Sequence, residues 1–248
     1  MCLIAIAIEQ SEEYPLILLS NRDEFLNRPT NKMHWWKDKD ILAGQDLKAG
    51  GTWLGINHQK QFAIITNYRD PKHQNPLAPS RGIIPVELLE AHGADFNSYV
   101  QAHQQLWNQM NGFNLVYGDS FQVFHYSNVS QKINVLKKGI YGISNALLDT
   151  PWPKVEALKE KLSKSIAQKD LAQEKLVELL FSTKKYPDAM LPNTGVGHVM
   201  EKILSPICIK TPLYGTRAHT IILKDISGKM FILEKQADTH ASVSFEID

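Results

Sequence analysis

Apolar runs of strand length stand at both ends of this chain, and segments with helical periodicity stand between them. The runs that predict strands are residues 2–8, 15–20, 52–57, 61–67, 113–117, 122–126, 132–136, 139–144, 216–224, 229–234 and 241–245. The segments that predict helices are residues 83–92, 97–110, 154–167 and 169–182. Strands at both termini with helices between them favour one domain, residues 1–248, whose sheets are flanked by helices. The pattern therefore predicts the α+β class.

Composition excludes several classes of partner and location. The 27 basic and 26 acidic side chains nearly cancel, so no global field attracts nucleic acid or an anionic membrane. Two cysteines, Cys2 and Cys208, cannot form a disulfide framework and fit a reducing compartment. The N-terminus has no basic signal-peptide region, and no stretch approaches the roughly 20 apolar residues that span a bilayer. We expect a cytoplasmic protein with no transmembrane segment and no nucleic-acid partner; no feature predicts an oligomeric state.

Cys2 directly follows the initiator Met1 and begins the first predicted strand. Removal of Met1, which is usual before a small residue, would leave one residue with both a thiol and a free α-amine. The pKa of an α-amine is roughly 7.7–8.0, so its neutral fraction at cellular pH could take the thiol proton. The alternative is a small residue in a buried strand, since free cysteine is often buried. Position alone favours this alternative, because a single cysteine is weak support for a nucleophile.

Familiar motifs for metals, nucleotides and serine nucleophiles are absent from the sequence. It contains no Cys-x-x-Cys, no His-Glu-x-x-His and no Gly-x-Ser-x-Gly, and no glycine-rich phosphate loop follows a strand. The nine histidines are scattered, and His103 and His125 fit core or surface positions. We therefore expect no metal site.

Five polar clusters lie at the ends of predicted strands. They are Cys2, residues 21–24, residues 66–70, residues 144–145 and residues 215–217. Together they contain the groups that acyl transfer needs. Cys2 would be the nucleophile, with its own amine as the base. Asn67 and Asn145 would donate hydrogen bonds to the developing oxyanion.

The charged residues of these clusters complete the hypothesis. Arg22 and Arg217 would keep Cys2 as a thiolate and orient it, and Asp23 would hold the α-ammonium. The alternative for Arg22 is a buried ion pair with Asp23 or Glu24 that locks a turn. Residues 50–55, Gly-Gly-Thr-Trp-Leu-Gly, give the backbone unusual freedom and predict the close approach of another group there.

The segment Asn21-Arg22-Asp23-Glu24 resembles the signature of the NRDE family, the family of transport and Golgi organisation protein 2. The likeness extends, in order, to residues 50–55, 66–69, 144–154 and 214–217. The resemblance covers essentially the whole chain, and its five motifs in this order make it specific. The resemblance implies an N-terminal nucleophile hydrolase-like fold, a four-layer αββα sandwich of two antiparallel sheets between helical layers.

A more remote resemblance is to the cysteine amidohydrolases of that superfamily, the bile-salt hydrolases and penicillin V acylases. The residues that look like their catalytic groups are Cys2, Arg22, Asp23, Asn67, Asn145 and Arg217. The resemblance implies cleavage of a non-peptide C–N bond in a small amide through a Cys2 thioester, with no cofactor. In those enzymes the acid lies three residues after the arginine, whereas Asp23 is adjacent to Arg22 and Glu24 is two residues away. We predict that Asp23 meets the Cys2 amine, with Glu24 as the alternative.

The NRDE family is also associated with haem trafficking and with lipid or acyl-coenzyme A handling. The resemblance therefore leaves open a non-catalytic carrier or chaperone, in which Arg22 and Arg217 anchor a carboxylate or phosphate. The other motif residues predicted to bind ligand are Glu24, Thr52, Trp53, Tyr68 and Arg69. Haem rests on the resemblance alone, because no Cys-Pro dipeptide and no obvious axial His or Met is present. A third alternative is a purely structural polar core.

Overall fold

The computed structural model of the protein describes residues 2–119 and 122–248, and the chain divides into two compact units. Unit 1 comprises residues 1–27 and 138–248, and unit 2 comprises residues 28–137. The single domain over residues 1–248 stays a prediction. Met1 lies outside the described residues, so its removal also stays a prediction.

Strands and helices are named here in chain order. The strands are β1 (Cys2–Ile8), β2 (Leu16–Phe25), β3 (Thr30–Trp35), β4 (Leu42–Asp46), β5 (Leu54–Ile56), β6 (Phe62–Asn67), β7 (Phe113–Gly118), β8 (Val123–Ser127), β9 (Lys132–Leu136), β10 (Gly139–Ile143), β11 (Tyr214–Lys224), β12 (Met230–Gln236) and β13 (Ser242–Ile247). The helices are α1 (Ile83–Glu90), α2 (Phe96–Trp107), α3 (Pro153–Ala167), α4 (Gln173–Glu178) and α5 (His198–Ile203). All ladders between these strands are antiparallel.

In unit 1 the described strands form one sheet with the order β10-β1-β2-β11-β12-β13. The alternation of strand side chains sends Leu3 and Ala5 of β1 to the face that packs on Val155 and Leu158 of α3. We call this the helix face. Cys2 and the residues that share its parity on β1 point to the opposite face, which we call the cysteine face. Pro153 begins α3, as expected for a residue with a fixed φ and no amide hydrogen.

In unit 2 the described strands form a second sheet with the order β3-β4-β5-β6-β7-β8-β9. Its core is aromatic and includes Phe96 and Trp107 of α2 packed with Phe113 and Tyr126 of the sheet. The carboxylate of Asp95 caps α2 by accepting a hydrogen bond from the Ser98 amide at 2.9 Å. Helices α1 and α2 thus cover one face of this sheet.

The two antiparallel sheets with their helices confirm the predicted α+β class. Every predicted strand is present, with ends that agree within two residues except that β2 continues five residues further, to Phe25; β3, β4 and α5 were not predicted. The helix predicted over residues 169–182 is shorter, because it consists of α4 and a single 3₁₀ turn at Leu179–Phe181. Among the described residues, no helix has the length and apolar character needed to cross a bilayer. In the same ranges, no cluster of three His, Cys, Asp or Glu residues is arranged to hold a metal ion.

Candidate functional site

Cys2 begins β1 on the cysteine face of unit 1. It lies directly opposite Arg22 of β2 in the antiparallel register, and its side chain is only 3% exposed. Burial raises the pKa of the Cys2 thiol, the charge of Asp23 adds to this effect, and the charge of Arg22 opposes it. The thiol is therefore protonated at neutral pH, and its use as a nucleophile requires a base.

The polar residues 21–24 lie inside β2, which continues to Phe25, and not at its end as predicted from the sequence. Strand alternation sends Asn21 and Asp23 to the helix face and Arg22 and Glu24 to the cysteine face. Asn21, Arg22 and Asp23 are all buried, whereas Glu24 is half-buried. A strand can hold these buried polar side chains because they form hydrogen bonds with distant parts of the chain.

Asn21 is held by three hydrogen bonds on the helix face. Its Nδ2 donates to the carbonyl oxygens of Leu180 at 3.1 Å and Ile207 at 2.8 Å. Its Oδ1 accepts from Nδ1 of His219, the residue opposite it on β11, at 2.6 Å. Burial lowers the pKa of His219 to about 3, so this imidazole is neutral and carries its hydrogen on Nδ1. Asn21 therefore joins β2 and β11 to the 3₁₀ turn at Leu179–Phe181 and to the segment at Ile207, and its hydrogen bonds are structural.

Asp23 is held by a threonine that the sequence analysis did not single out. The hydroxyl of Thr216, opposite Asp23 in the register, donates to Asp23 Oδ1 at 2.6 Å. The Ile209 amide donates to the same Thr216 oxygen at 2.9 Å. Glu24, in contrast to Asp23, has a local hydrogen bond: its Oε1 accepts from the adjacent Phe25 amide at 2.8 Å.

Ser144 and Asn145 follow β10, the other neighbour of β1. The Ser144 hydroxyl lies 3.5 Å from the Cys2 carbonyl oxygen and 3.4 Å from Asn145 Oδ1, and both side chains are buried. Ile143 lies opposite Ile4 at the end of the β1–β10 ladder, and the contact of Ser144 with the Cys2 carbonyl oxygen brings the segment that contains Asn145 to the start of β1. The fold thus brings Asn145 and Arg22 to the two flanks of Cys2.

Arg217 lies at a break in the β2–β11 ladder. The register shifts between Thr216 and Ala218, so Arg217 is the extra residue of a β-bulge. Its guanidinium donates from Nη1 to the Phe25 carbonyl oxygen at 2.9 Å. Its half-exposed side chain is thereby held at the end of β2.

The other predicted site residues belong to unit 2. They are Thr52, Trp53, Asn67, Tyr68 and Arg69. Asn67 ends β6 and is half-buried, and the Tyr68 amide donates to the Gly112 carbonyl oxygen at 2.8 Å. Thr52 donates to the Leu54 carbonyl oxygen at 2.9 Å, and both Thr52 and Trp53 are buried. Their predicted roles in catalysis or ligand binding stay predictions.

The glycines of residues 50–55 are explained by packing within unit 2. A Cβ atom on Gly51 would lie 2.3 Å from the carbonyl oxygen of Gly82, which accepts a hydrogen bond from the Thr52 amide. A Cβ atom on Gly55 would lie 2.9 Å from Leu89 of α1. Gly50 has a φ of +76°, a conformation that favours glycine. The close approach predicted for this segment is therefore made by the chain itself.

Comparison with known sequences identifies relatives over the whole length. The profile of the family described as Transport and Golgi organisation 2 matches residues 1–239. The Transport and Golgi organization 2 homologue of Mus musculus is 34% identical, over 95% of this chain and 92% of that protein. The Homo sapiens homologue is 33% identical with the same coverage, and the Drosophila melanogaster protein is 29% identical, also over 95% and 92%.

Comparison with solved structures identifies a shared fold. The C2A mutant of conjugated bile acid hydrolase from Clostridium perfringens matches with a TM-score of 0.53 and 7% identity, over 100% of this chain and 92% of that one. The Caenorhabditis elegans orthologue of N-acylethanolamine-hydrolyzing acid amidase matches with a TM-score of 0.50 and 9% identity, over 90% and 92%. At such low identity the likeness shows the fold alone, which is N-terminal nucleophile hydrolase-like, as predicted.

Proposed function

The chain belongs to the Transport and Golgi organisation 2 family, and from this premise we propose that it is an N-terminal cysteine amidohydrolase. Its substrate is a small amide whose non-peptide C–N bond is cleaved through a thioester on Cys2. The observation that carries the proposal is the grouping in unit 1 of Cys2, Arg22, Asp23 and Asn145. The amidohydrolase names of the two solved structures support it at the level of fold.

Acylation begins at the buried Cys2 thiol of a chain from which Met1 has been removed. The α-amine takes the thiol proton, and Sγ attacks the amide carbonyl carbon to form a tetrahedral oxyanion. Asn145 donates a hydrogen bond to this oxyanion. The C–N bond then breaks, and the leaving amine takes the proton from the α-ammonium. Water, deprotonated by the same amine, hydrolyses the thioester and restores Cys2.

The charged neighbours of Cys2 act on its protonation. Arg22 favours the thiolate that burial disfavours. We assign Asp23 as the acid that holds the α-ammonium. In an antiparallel pair with Cys2 opposite Arg22, the next residue of β2 lies beside the amino side of Cys2. Asp23 is also the more buried acid, so its carboxylate is the less screened by water.

A second candidate function is a carrier of an amphiphilic ligand, the haem or acyl-coenzyme A alternative. The observation that favours it is an apolar surface at the ends of β2 and β11. Phe25, Leu26 and Leu213 are 56%, 43% and 76% exposed there, and Arg217 is held beside them through the Phe25 carbonyl. Such a surface suits an apolar chain with an anionic group, for which Arg217 is the anchor.

Two substitutions of the nucleophile separate these functions. In chains with a free α-amine, Cys2→Ala and Cys2→Ser should each lower kcat on a hydrolysed amide by at least about 1,000-fold while ligand binding is retained, because the thioester no longer forms. The control is Cys208→Ala, which removes the other buried thiol and should retain turnover. Turnover that survives Cys2→Ala excludes Cys2 as the nucleophile and with it the proposed mechanism. Unchanged transfer of haem or acyl-coenzyme A by Cys2→Ala supports the carrier.

A further inference from the structure

We propose that Thr216 is a positioning residue that fixes the carboxylate of Asp23, the acid assigned to the α-ammonium of Cys2. The inference rests on the proposed function, in which Asp23 holds the α-ammonium. Thr216 does not touch the reacting atoms in this scheme. It acts through Asp23, by setting the direction of the carboxylate and by favouring its ionised form.

The hydrogen bonds around Thr216 have a defined direction. Its Oγ1 accepts a hydrogen bond from the Ile209 amide, so the hydroxyl hydrogen is free to point to Asp23 Oδ1, 2.6 Å away. An ionised carboxylate only accepts hydrogen bonds, so Thr216 is the donor. A β-branched side chain has few χ1 states, and a buried one has fewer still. The backbone of Ile209 thus fixes the hydroxyl, and the hydroxyl fixes one oxygen of Asp23.

The bulge at Arg217 creates this pairing. Ala218, the residue that follows the bulge in β11, lies opposite Arg22. A regular ladder would therefore place Arg217 opposite Asp23. The extra residue moves Thr216 into that position and directs the Arg217 guanidinium to the Phe25 carbonyl instead. Asp23 therefore accepts a hydrogen bond from a neutral hydroxyl of this strand. In the proposed function the charge of this carboxylate meets the α-ammonium of Cys2.

Charged and titratable groups approach Asp23 from three elements. Arg22 and Glu24 flank it on β2, and Cys2 lies on β1. Cys208 precedes β11, and the charge of Asp23 adds to burial in raising the pKa of both thiols. On that segment the charge of Lys210 acts to lower the pKa of Cys208.

The test is a carboxyl NMR titration of Asp23 in protein whose free Cys2 amine is verified by intact mass, with Asp23→Asn to assign the signal. Thr216→Val should raise the pKa of Asp23 by about 1 to 2 units, because a hydrogen bond to the charged form is lost. Thr216→Ser should restore the parent value, because it keeps the hydroxyl. The matched control is Thr220→Val, a buried threonine of β11 that lies opposite Ser20 and should leave the titration unchanged.

An unchanged pKa of Asp23 in Thr216→Val, or a Thr216→Ser variant that titrates like Thr216→Val, overturns the proposal. Thr216→Ala takes the place of Thr216→Val if the latter does not fold, with the same expected rise. The titration needs no turnover, so its outcome is independent of whether the parent hydrolyses an amide. A parent without turnover defeats the proposed function, and the Asp23 titration still decides the role of Thr216. In an active parent, the acid limb of the kcat/KM profile should move upward with the pKa of Asp23 in Thr216→Val.

Discussion

Two motifs of this chain, residues 21–24 in β2 and residues 50–55 before and within β5, reach similar burial by opposite means. In the first, polar side chains enter a strand and each needs a partner, which Asn21 and Asp23 find on the helix face. In the second, side chains are missing where the backbone of Gly82 and the side chain of Leu89 approach. The first motif thus concentrates hydrogen-bonding groups and charge, and the second only removes volume.

The difference separates chemistry from architecture within a shared family pattern. Even the first motif is divided, because strand alternation sends Asn21 to a structural role while Arg22 faces the same way as Cys2. Membership of the family signature therefore does not by itself make a residue part of the functional site. Its hydrogen-bond partners and its face of the sheet decide which role it has.

The largest effect on stability is expected for Asn21→Ala. It leaves the carbonyls of Leu180 and Ile207 and the Nδ1–H of His219 without their partner in a buried region. At 1–3 kcal/mol for each buried group, the free energy of unfolding should fall by about 4 kcal/mol in urea titrations. The control Asn31→Ala, on an exposed position of β3, should change it by less than about 0.5 kcal/mol. Equal losses for both variants would contradict a structural role for Asn21.

A smaller effect is expected from filling the space at Gly51. Gly51→Ala places a methyl group 2.3 Å from a backbone oxygen, so the chain must shift, and we expect a loss of about 3 kcal/mol in unfolding free energy. The matched control is Gly50→Ala, which has no atom within 4 Å of its added Cβ but keeps a positive φ, at a cost of about 1 kcal/mol. If Gly51→Ala is as stable as the parent, residues 50–55 are not explained by packing, and the contrast between the two motifs fails.

The effect that is smallest at neutral pH, and that grows as the pH falls, is the pH dependence contributed by His219. Its folded pKa of about 3 lies below the unfolded value of 6.5, so the unfolded chain binds the extra proton first as the pH falls. This residue therefore removes up to about 1.4 kcal/mol of stability per pH unit below 6.5. In His219→Gln that component is absent, so the stability difference from the parent should shrink between pH 6.5 and pH 4. A constant difference across this range would show that His219 is not held neutral in the fold.

The sequence predicted the regular parts of the fold because their signals are local. Strand β9 occurs with the predicted ends, and α3 begins at the proline of a Pro-Trp-Pro segment. Strand β3 was missed because only Met33 of its six residues is buried, so it has little apolar alternation. Helix α5 was missed because it is one and a half turns long and buries only Glu201.

The candidate site was predictable in part. The order of the polar clusters led to Cys2 and Arg22, which the structure places opposite each other. The roles of Asn21 and Thr216 were not predictable, since their partners lie more than 150 residues away in sequence. The sequence indicates only weakly that His219 is buried on the helix face: it shares its strand parity with the apolar helix-face residues Ile221 and Leu223. Only the register of the folded sheet places His219 opposite Asn21, to which it donates a hydrogen bond.

The central claim is that Cys2 with a free α-amine is the nucleophile of unit 1, and its most direct test is mass spectrometry of the native protein. Intact mass should correspond to a chain without Met1, and peptide mapping after a thiol-directed acyl probe should place the label on Cys2 in preference to Cys208. Both thiols are buried with raised pKa values, but only Cys2 has its own amine as a base. Retained Met1, or equal or absent labelling of the two cysteines, would contradict the account.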